Sequence, residues 1–161
     1  MSSKGWHGRA WLGGMAAAWI VLGSSAAWAE EIAWRQTSIQ TQRDGASYVR
    51  RGTAMLATGE PATMKFDGVW GRPLSPQEQP FSGRMSLRFE DGSSFSFDVN
   101  ARVAIPQGTI TGAGTFVEGT GRFAGIRGSV EMTGQGNLDA KTTGVLGDSF
   151  AAFSGTYTLQ K

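Results

Sequence analysis

A strict alternation of apolar and polar residues constrains the fold of this chain more than any other feature. It is clearest in MSLRFEDGSSFSFDVNARV, residues 85–103, where apolar side chains occupy every second position on both sides of a central Asp-Gly. This period of two is typical of antiparallel strands that bury one face. Glycine supplies 24 of the 161 residues, about twice its usual ~7%, and no amphipathic helical stretch follows residue 30. The chain is therefore predicted to be all-β.

The same segment predicts how its two strands pair. A two-residue turn at the Asp-Gly pair would set apolar residues against polar ones, because a slip of one residue sends every side chain to the other face. A three-residue loop over residues 90–92, with a left-handed glycine, keeps the faces matched. It places Leu87 opposite Phe95. One step further along the ladder, Met85 lies opposite Phe97.

The rest of the chain divides into short strands separated by turn signals. With the two strands of the hairpin they number about eight, and their regular spacing favours a closed antiparallel barrel, because closure leaves no bare strand edge. The six further strands are predicted over residues 33–41, 47–57, 62–70, 108–117, 127–136 and 149–160. The longest connection, residues 71–80, contains three prolines and is expected to be an irregular surface loop, either a connector or part of a barrel mouth.

The first 29 residues have the organisation of a secretory signal peptide. Positively charged residues precede an apolar run over residues 10–22, and an A-x-A pattern ends at Ala29. We therefore expect cleavage before Glu30 and export, to the periplasm or the exterior, of a single domain over residues 30–161. The alternative is a retained membrane anchor, but the apolar run falls short of the ~20 residues that span a bilayer.

Loss of this segment leaves few reactive side chains. The chain has no cysteine, and its one histidine, His7, lies within the predicted signal peptide. The mature chain can therefore form neither a Ser-His-Asp triad, nor a Cys-His pair, nor an ordinary zinc site. We expect no cofactor and no metal. Carboxylates, tyrosines, lysines, arginines and hydroxyls remain available for chemistry.

The charge of the mature chain argues against nucleic acid as a partner. Lys4 and Arg9 leave with the signal peptide, so the 15 basic residues fall to 13, which equals the number of acidic residues. A chain without net charge has no general attraction to a phosphate backbone. The pair at residues 50–51 is too short a basic run to change this expectation.

A glycine-rich stretch, VEGTGRFAGIRGSVEMTG at residues 117–134, admits two interpretations. Its GTGRFA fits the dinucleotide-binding fingerprint G-x-G-x-x-A, with Asp139 near the expected position of the ribose-binding acid. That fingerprint requires a helix after the glycines, whereas further glycines follow here at 125, 128, 134 and 136, each costing a helix about 1 kcal/mol. We therefore interpret the stretch as a loop between strands, and Asp139 as a coincidence of spacing.

Five residues are expected to shape this loop. They are Gly119, Gly121, Phe123, Gly125 and Gly128. The first two glycines permit positive φ for a tight reversal, once a strand has ended near Val117. The phenylalanine should turn inward with Ile126 and plug one end of the core, while the last two glycines allow close backbone approach. The arginines at 122 and 127 are expected to stay at the rim.

The segment GTGRFAGIRGSV resembles the G-G-T-G-x-F-x-x-x-x-G segment shared by the allene oxide cyclase and dirigent barrels of plants and by small bacterial secreted proteins with the same barrel. GTITGAGTF before it and the final FAAFSGTYTLQK lie where such barrels place their flanking and closing strands. The match is clear over residues 108–128. The resemblance implies an eight-stranded antiparallel barrel, often oligomeric, whose apolar cavity folds or orients a reactive small molecule.

The resemblance also implies a place for catalytic residues. Allene oxide cyclase works with a glutamate and an asparagine on its first strand, which hold a water and steer a ring closure. The stretch TSIQTQRDGASY offers Ser38 and Gln40 there, and it contains no glutamate. Function is decided by such site residues rather than by the fold.

Aromatic side chains are the candidates for contact with a ligand. The two tryptophans that remain after the signal peptide could stack on a flat ligand or pack in the core, and the second tyrosine shares a face with Phe153 and Leu159. The predicted ligand-binding residues are Trp34, Trp70, Phe95, Phe97, Phe153 and Tyr157. The carboxylates at 67, 118 and 131 alternate with apolar neighbours and are expected to point outward.

Three functions are compatible with this sequence. The favoured one is an exported, non-catalytic barrel, as a monomer or a homo-oligomer, that binds a small apolar molecule or a protein partner. The alternative is a cofactor-independent cyclase or isomerase that holds a reactive conformer in its cavity. An outer-membrane barrel would need an apolar outer band, and the mature chain is not expected to insert into a membrane. Its outward residues in the hairpin are Ser86, Arg88, Ser94, Ser96, Asp98, Asn100 and Arg102.

Overall fold

The computed structural model describes residues 28–137 and 147–160, which form eight strands and one short 3₁₀ turn. The strands are β1 (Glu30–Asp44), β2 (Ser47–Leu56), β3 (Pro61–Trp70), β4 (Glu78–Phe89), β5 (Ser94–Ala104), β6 (Thr109–Thr120), β7 (Ile126–Gly136) and β8 (Asp148–Leu159). The predicted signal peptide, apart from its last two residues, and Asp139 lie outside the described residues. None of the described residues belongs to a helix long and apolar enough to cross a membrane.

The eight strands form a closed antiparallel barrel, as the sequence predicts. Each strand pairs with the next one along the chain, and β1 pairs with β8 to complete the circle. Closure leaves no free strand edge, which suits a chain built of short alternating segments. The all-β prediction is thereby confirmed.

Several predicted boundaries differ from the structure. Strand β1 extends three residues beyond its predicted bounds at each end, over Glu30–Asp44. The loop expected over residues 71–80 is shorter, because β4 already begins at Glu78 and Pro80 lies opposite Arg102 in the β4–β5 ladder. Strand β6 does not end near Val117 but continues to Thr120, past a bulge where the register shifts between Ser96 and Phe97. A bulge adds a residue without ending the pairing, which a count of alternating residues does not reveal.

The register predicted for the central hairpin is confirmed. Leu87 lies opposite Phe95 and Met85 lies opposite Phe97. Gly92 closes the loop at a left-handed φ of +82°. All four paired side chains are buried. The parity of the apolar residues therefore determines both the loop length and the inward face.

The barrel interior has two ends, named here by their connections. The closed end carries the loops 57–60, 90–93 and 121–125, and its interior is filled by aromatic rings. Phe95 meets Phe123 at 5.0 Å and Phe116 at 5.3 Å between ring centroids, in the edge-to-face arrangement that aromatic pairs favour. Phe123 and Ile126 are buried against this cluster, so the predicted plug exists.

The glycine loop that seals the closed end follows its predicted role with one exception. Gly121 takes the expected positive φ of +59°, at the start of the 3₁₀ turn Gly121–Phe123. Gly119 does not take a positive φ and pairs within β6. A Cβ there would collide with the carbonyl oxygen of Phe123, so this position requires glycine for close approach instead. Gly125 and Gly128 also approach neighbouring carbonyl groups closely, as predicted.

An aromatic layer separates the two ends of the interior. Trp34 stacks on Phe153 with 4.6 Å between ring centroids and meets Phe97 edge-on at 5.5 Å. Its indole Nε1 donates a hydrogen bond to Oε1 of Gln36 at 3.2 Å. On the far side of this layer the interior is no longer filled, and this open end carries the connections 45–46, 71–77 and 105–108.

Candidate ligand-binding cavity

A cavity of about 450 Å³ occupies the open end of the barrel. Small-molecule sites commonly have volumes of roughly 300–1,000 Å³ and mostly apolar walls. Here the walls include Phe66, Trp70 and Phe81, together with methionines from three strands. The ring of Trp70 lies 5.4 Å from that of Phe81 and stacks on Tyr48 at 5.0 Å. The open-end cavity therefore offers flat aromatic surfaces to an occupant.

Arg50 is the central polar group of this cavity. Its Nε donates to Oγ of Ser38 at 2.9 Å, and its Nη2 lies 2.9 Å from Oγ of Ser149, 3.0 Å from the carbonyl oxygen of Gly147 and 3.1 Å from that of Ser38. The two serine hydroxyls are also 3.0 Å apart. Burial lowers the pKa of the Arg50 guanidinium, but an arginine stays protonated in a protein. A full positive charge is thus fixed inside the barrel.

The alternation of β2 explains why Arg50 points inward. Leu56 and Ala54 lie in the core, and every second residue before them shares their face. That face includes Arg50 and Tyr48. Tyr48 is 4% exposed, and its ring lies against Gly68, where a Cβ would come within 2.6 Å of the Tyr48 Cζ. Glycine at 68 therefore makes room for the phenol.

Tyr48 lines the cavity, and its phenol has no hydrogen-bond partner in the described part of the chain. Burial raises the pKa of Tyr48, and the nearby charge of Arg50 partly opposes this shift. The group therefore stays a neutral hydrogen-bond donor over the physiological pH range.

The mouth of the cavity carries two further charged groups. Asp148 begins β8, and its Oδ1 is buried with no hydrogen-bond partner in the described part of the chain. Arg43 is exposed at the mouth, and its Nε lies 3.4 Å from the carbonyl oxygen of Gly45. Of the described residues, the charged ones that line the open-end cavity are thus two arginines and one aspartate, with a net charge of +1.

The structure places only one of the six predicted ligand-binding residues in the wall of this cavity. Trp70 lines it, whereas Trp34, Phe97 and Phe153 form the packed layer beneath. Phe95 and Tyr157 lie toward the closed end, near Phe123. The carboxylates at 67, 118 and 131 are exposed, as expected.

Tyr157 has a different setting from the cavity residues. Its hydroxyl donates a hydrogen bond to the Glu30 carboxylate at 2.6 Å, at the rim of the closed end. Burial, together with this carboxylate, raises the pKa of Tyr157 to about 12. The residue therefore joins the first and last strands rather than lining the open-end cavity.

The first strand contributes polar groups to the cavity wall. Ser38 and Gln40 both line the cavity, and so does Gln36, which the sequence analysis did not single out. Tyr48, Arg50 and Asp148 were also missed. The signal for the first two was present in the parity of β2, since they share the face of Ala54 and Leu56.

A larger groove of about 1240 Å³ lies on the outer wall and runs across six neighbouring strands, β7, β8, β1, β2, β3 and β4. It exposes Phe150 and Met55, which are 60% and 49% accessible. This groove is a curved stretch of surface, so a small molecule there would bury only one side, whereas binding sites usually enclose most of the ligand. We therefore place the candidate site inside the barrel. Among the described residues, no group of three or more acidic, histidine or cysteine side chains could hold a metal.

Fold and site together define a closed eight-stranded barrel with one filled end and one open, charged end. Two solved dirigent proteins, the pterocarpan synthases PsPTS1 and GePTS1, are similar to this chain, each at 16% identity. The first has a TM-score of 0.48 over 83% of this chain and 97% of its own. The second has a TM-score of 0.47 over 94% of this chain and 100% of its own. No family model and no curated protein matches the chain.

Proposed function

We propose that this protein is an exported barrel that binds one small, largely apolar molecule in its open-end cavity without transforming it. The observation that carries the proposal is the cavity itself, about 450 Å³ in the interior of a barrel whose other end is filled. Protein interiors are otherwise close-packed. The closed end supports this interpretation, because there the same strands fill the interior with phenylalanine rings.

The chemistry of the walls supports an occupant with an apolar body. Apolar atoms make most of the surface, with aromatic rings and methionines among them, and two serine hydroxyls converge on Arg50. Such a division, with a few converging polar groups on an apolar wall, is what orients a small molecule in a site. Methionine side chains adapt to different shapes, so the site suits a class of related molecules.

Binding of the neutral fluorescent probe N-phenyl-1-naphthylamine tests the proposal. We expect saturable binding with one probe per chain and quenching of Trp70 emission. Met85→Trp should fill the cavity and abolish binding, because Met85 is buried in its wall. Ser86→Trp adds the same side chain at the neighbouring outward position and should leave binding intact. A folded Met85→Trp protein that binds like the wild type would overturn the proposal.

A cofactor-independent isomerase or cyclase is the second candidate. It is favoured by the buried Oδ1 of Asp148, which has no hydrogen-bond partner among the described residues, lies near Arg50 and could accept a proton from a bound molecule. Isomerisation conserves mass, so a compound that copurifies with the protein should return with the same mass and a changed chromatographic retention. Asp148→Asn should stop this change while binding persists. Recovery of the compound unchanged would leave simple binding.

Export is part of the same proposal. The organisation of residues 1–29 supports it, since a basic start, an apolar run and an A-x-A pattern stand in order. Sequencing of the N-terminus of protein from the host should give Glu30 as the first residue. A chain that keeps residues 1–29 in the cytoplasmic fraction would contradict export without affecting the cavity.

A further inference from the structure

We propose that the open-end cavity selects amphiphilic monoanions, meaning molecules with an apolar body and a single acidic group such as a carboxylate, which Arg50 and Tyr48 bind together. This inference rests on the proposed binding function and adds the chemical class of the ligand. The apolar body would lie against the rings of Trp70 and Phe81, which form the aromatic wall. The acidic group would lie at the level of Ser38.

The Arg50 guanidinium has one side that its contacts with the described residues leave unused. Its four hydrogen bonds involve Nε and Nη2 and reach only neutral oxygens of residues 38, 147 and 149. Nη1 takes part in none of them. A guanidinium carries five N–H donors in a planar fork that matches a carboxylate. The free edge of Arg50 is therefore suited to bind one acidic group.

The charge of Arg50 also lacks a close counter-charge in the described part of the chain. Among the described residues, no ion pair involves Arg50. Asp148 attracts it electrostatically, but from beyond ion-pair distance. A buried charge is costly unless it is paired, and water can solvate the guanidinium but cannot neutralise it. With Arg43 and Asp148, the described lining has a net charge of +1, which a bound monoanion would cancel.

A second donor lies on the same face of β2. Tyr48 lies two residues from Arg50 along the strand, so their Cα atoms are separated by roughly 6.6 Å, twice the rise of a strand. Tyr48 lines the cavity, and its hydroxyl has no protein partner in the described part of the chain. Hydrogen bonds to an ionised acceptor are short and strong. The Tyr48 phenol lies against Gly68 on β3, whereas the Arg50 guanidinium reaches Ser38 and Ser149 on β1 and β8. One acidic group held by both would therefore lie between them, over β2.

The same charges argue against other ligand classes. A cation would be repelled by Arg50, and a dianion such as inorganic phosphate would meet one interior guanidinium with a carboxylate, Asp148, nearby. A wholly apolar molecule would leave Nη1 and the Tyr48 hydroxyl unsatisfied, which is unfavourable in a buried site. Arg43 at the exposed mouth would attract an incoming anion.

A pair of related probes tests this charge selection. Anilinonaphthalene sulfonate and N-phenyl-1-naphthylamine share a skeleton, but only the first carries a negative charge. We expect the wild type to bind the anion about tenfold more tightly, as charge-assisted hydrogen bonds permit. Binding in the cavity is taken as the probe fluorescence that the wild type shows and Met85→Trp does not. Decanoate should displace either probe at lower concentration than decanol does.

Variants then assign the selection to residues. Arg50→Gln should abolish the preference for the anion while the neutral probe still binds. The matched control is Arg51→Gln, which removes the same charge from the neighbouring, exposed position and should leave the preference unchanged. Tyr48→Phe keeps the ring and the Arg50 contacts, and should weaken binding of the anion alone by about threefold.

The outcomes separate this inference from the proposed function. Equal binding of the two probes by the wild type, or a parallel loss of both in Tyr48→Phe, would overturn the anion class while cavity binding stands. Failure of both probes to bind would overturn the proposed function itself. If Arg50→Gln does not fold, which circular dichroism would show, the wild-type preference and Tyr48→Phe decide the matter.

Discussion

The two ends of the barrel interior are built on the same eight strands, but the arginines at the two ends have different surroundings. At the closed end Arg122 lies on the rim, with its Nη2 2.5 Å from a Glu60 carboxylate oxygen and its guanidinium over Phe89 and Phe123. At the open end Arg50 points inward and has no carboxylate partner among the described residues. The rim arginine is neutralised and serves the fold, whereas the interior one leaves a charge for something else to bind.

Packing also differs between the two ends, since the interior is filled at the closed end and not at the open end. The ring of Phe95 is surrounded by aromatic rings from the closed end and the central layer. Phe81, at the open end, meets the rings of Phe66 and Trp70 and borders the cavity. The packing that stabilises the barrel is therefore concentrated at the closed end. The open end keeps a cavity and polar groups without partners among the described residues, and functional sites commonly carry such a cost in stability.

The largest expected effect comes from emptying the filled end. Phe95→Ala should lower the free energy of unfolding by about 3–5 kcal/mol, because it removes a buried ring and the packed residues around it cannot collapse to fill the cavity. Phe81→Ala, its counterpart at the open end, should cost about 2 kcal/mol or less, because it enlarges an existing cavity. Urea denaturation followed by tryptophan fluorescence measures both. Equal losses would mean that the two ends are packed alike.

A smaller effect is expected from crowding the open end. Gly68→Ala would bring a Cβ within 2.6 Å of Tyr48 Cζ and 2.5 Å of Phe66 Cε1, so the phenol must move. Overpacking of this kind costs about 1–3 kcal/mol, and the anionic probe should bind more weakly as well. Gly136→Ala is the control, because its Cβ would meet no atom closer than 3.5 Å. Thermal melts and probe titrations would show whether only Gly68 is sensitive.

Removal of the rim arginine should cost less again. Arg122→Gln loses two exposed ion pairs, with Glu60 and Asp91, and two cation–π contacts, together about 1 kcal/mol. Probe binding at the open end should not change. The same substitution at Arg84, which pairs with Asp98 on the outer wall, gives a reference for an ion pair without aromatic contact. A change in probe affinity in Arg122→Gln would show that the ends are coupled.

The smallest expected effect is on the titration of the two tyrosines, which are the only ones in the chain. In Tyr48→Phe the remaining phenol should titrate near pH 12, because burial and the Glu30 carboxylate raise the pKa of Tyr157 to about 12. In Tyr157→Phe, Tyr48 should also titrate above its ordinary range, since burial raises its pKa. Phenolate absorbance in folded and urea-unfolded protein measures both. A Tyr48 that titrates normally would indicate a fully hydrated cavity.

The sign of the accompanying stability change follows from these shifts. A folded-state pKa above the unfolded value of 10.0 means that Tyr157 contributes stability fully below pH 10 and loses it as the pH rises toward 12. Tyr157→Phe should therefore show a shallower loss of stability between pH 10 and 12. An unchanged slope would assign the alkaline loss to other groups.

The sequence predicted the barrel well because parity is a strong local signal. Leu87 and Phe95 can be paired from the order of residues alone, since one register keeps both inside. The site was harder to predict. Trp34 and Trp70 are both tryptophans on strands, and only the position of the aromatic layer shows that one is packed and the other lines the cavity.

The surroundings of Arg50 show why the rest of the candidate site could not be predicted from the sequence. Its inward direction follows from the parity of β2, but its partner Ser149 lies 99 residues away. Only barrel closure reveals that the two meet beside Ser38. Asp148 stands one residue before its predicted strand, where alternation gives no information.

Closure of the barrel by β1 and β8 also has a kinetic consequence. Every other ladder joins strands that are neighbours along the chain, and can form as a local hairpin or short meander. The last ladder requires residues such as Ser38 and Ser149, 111 positions apart, to meet, and the entropy of closing so long a loop makes such pairing slow. The contacts that hold Arg50 span this seam, so the ability to bind an anion emerges only as the chain completes its folding.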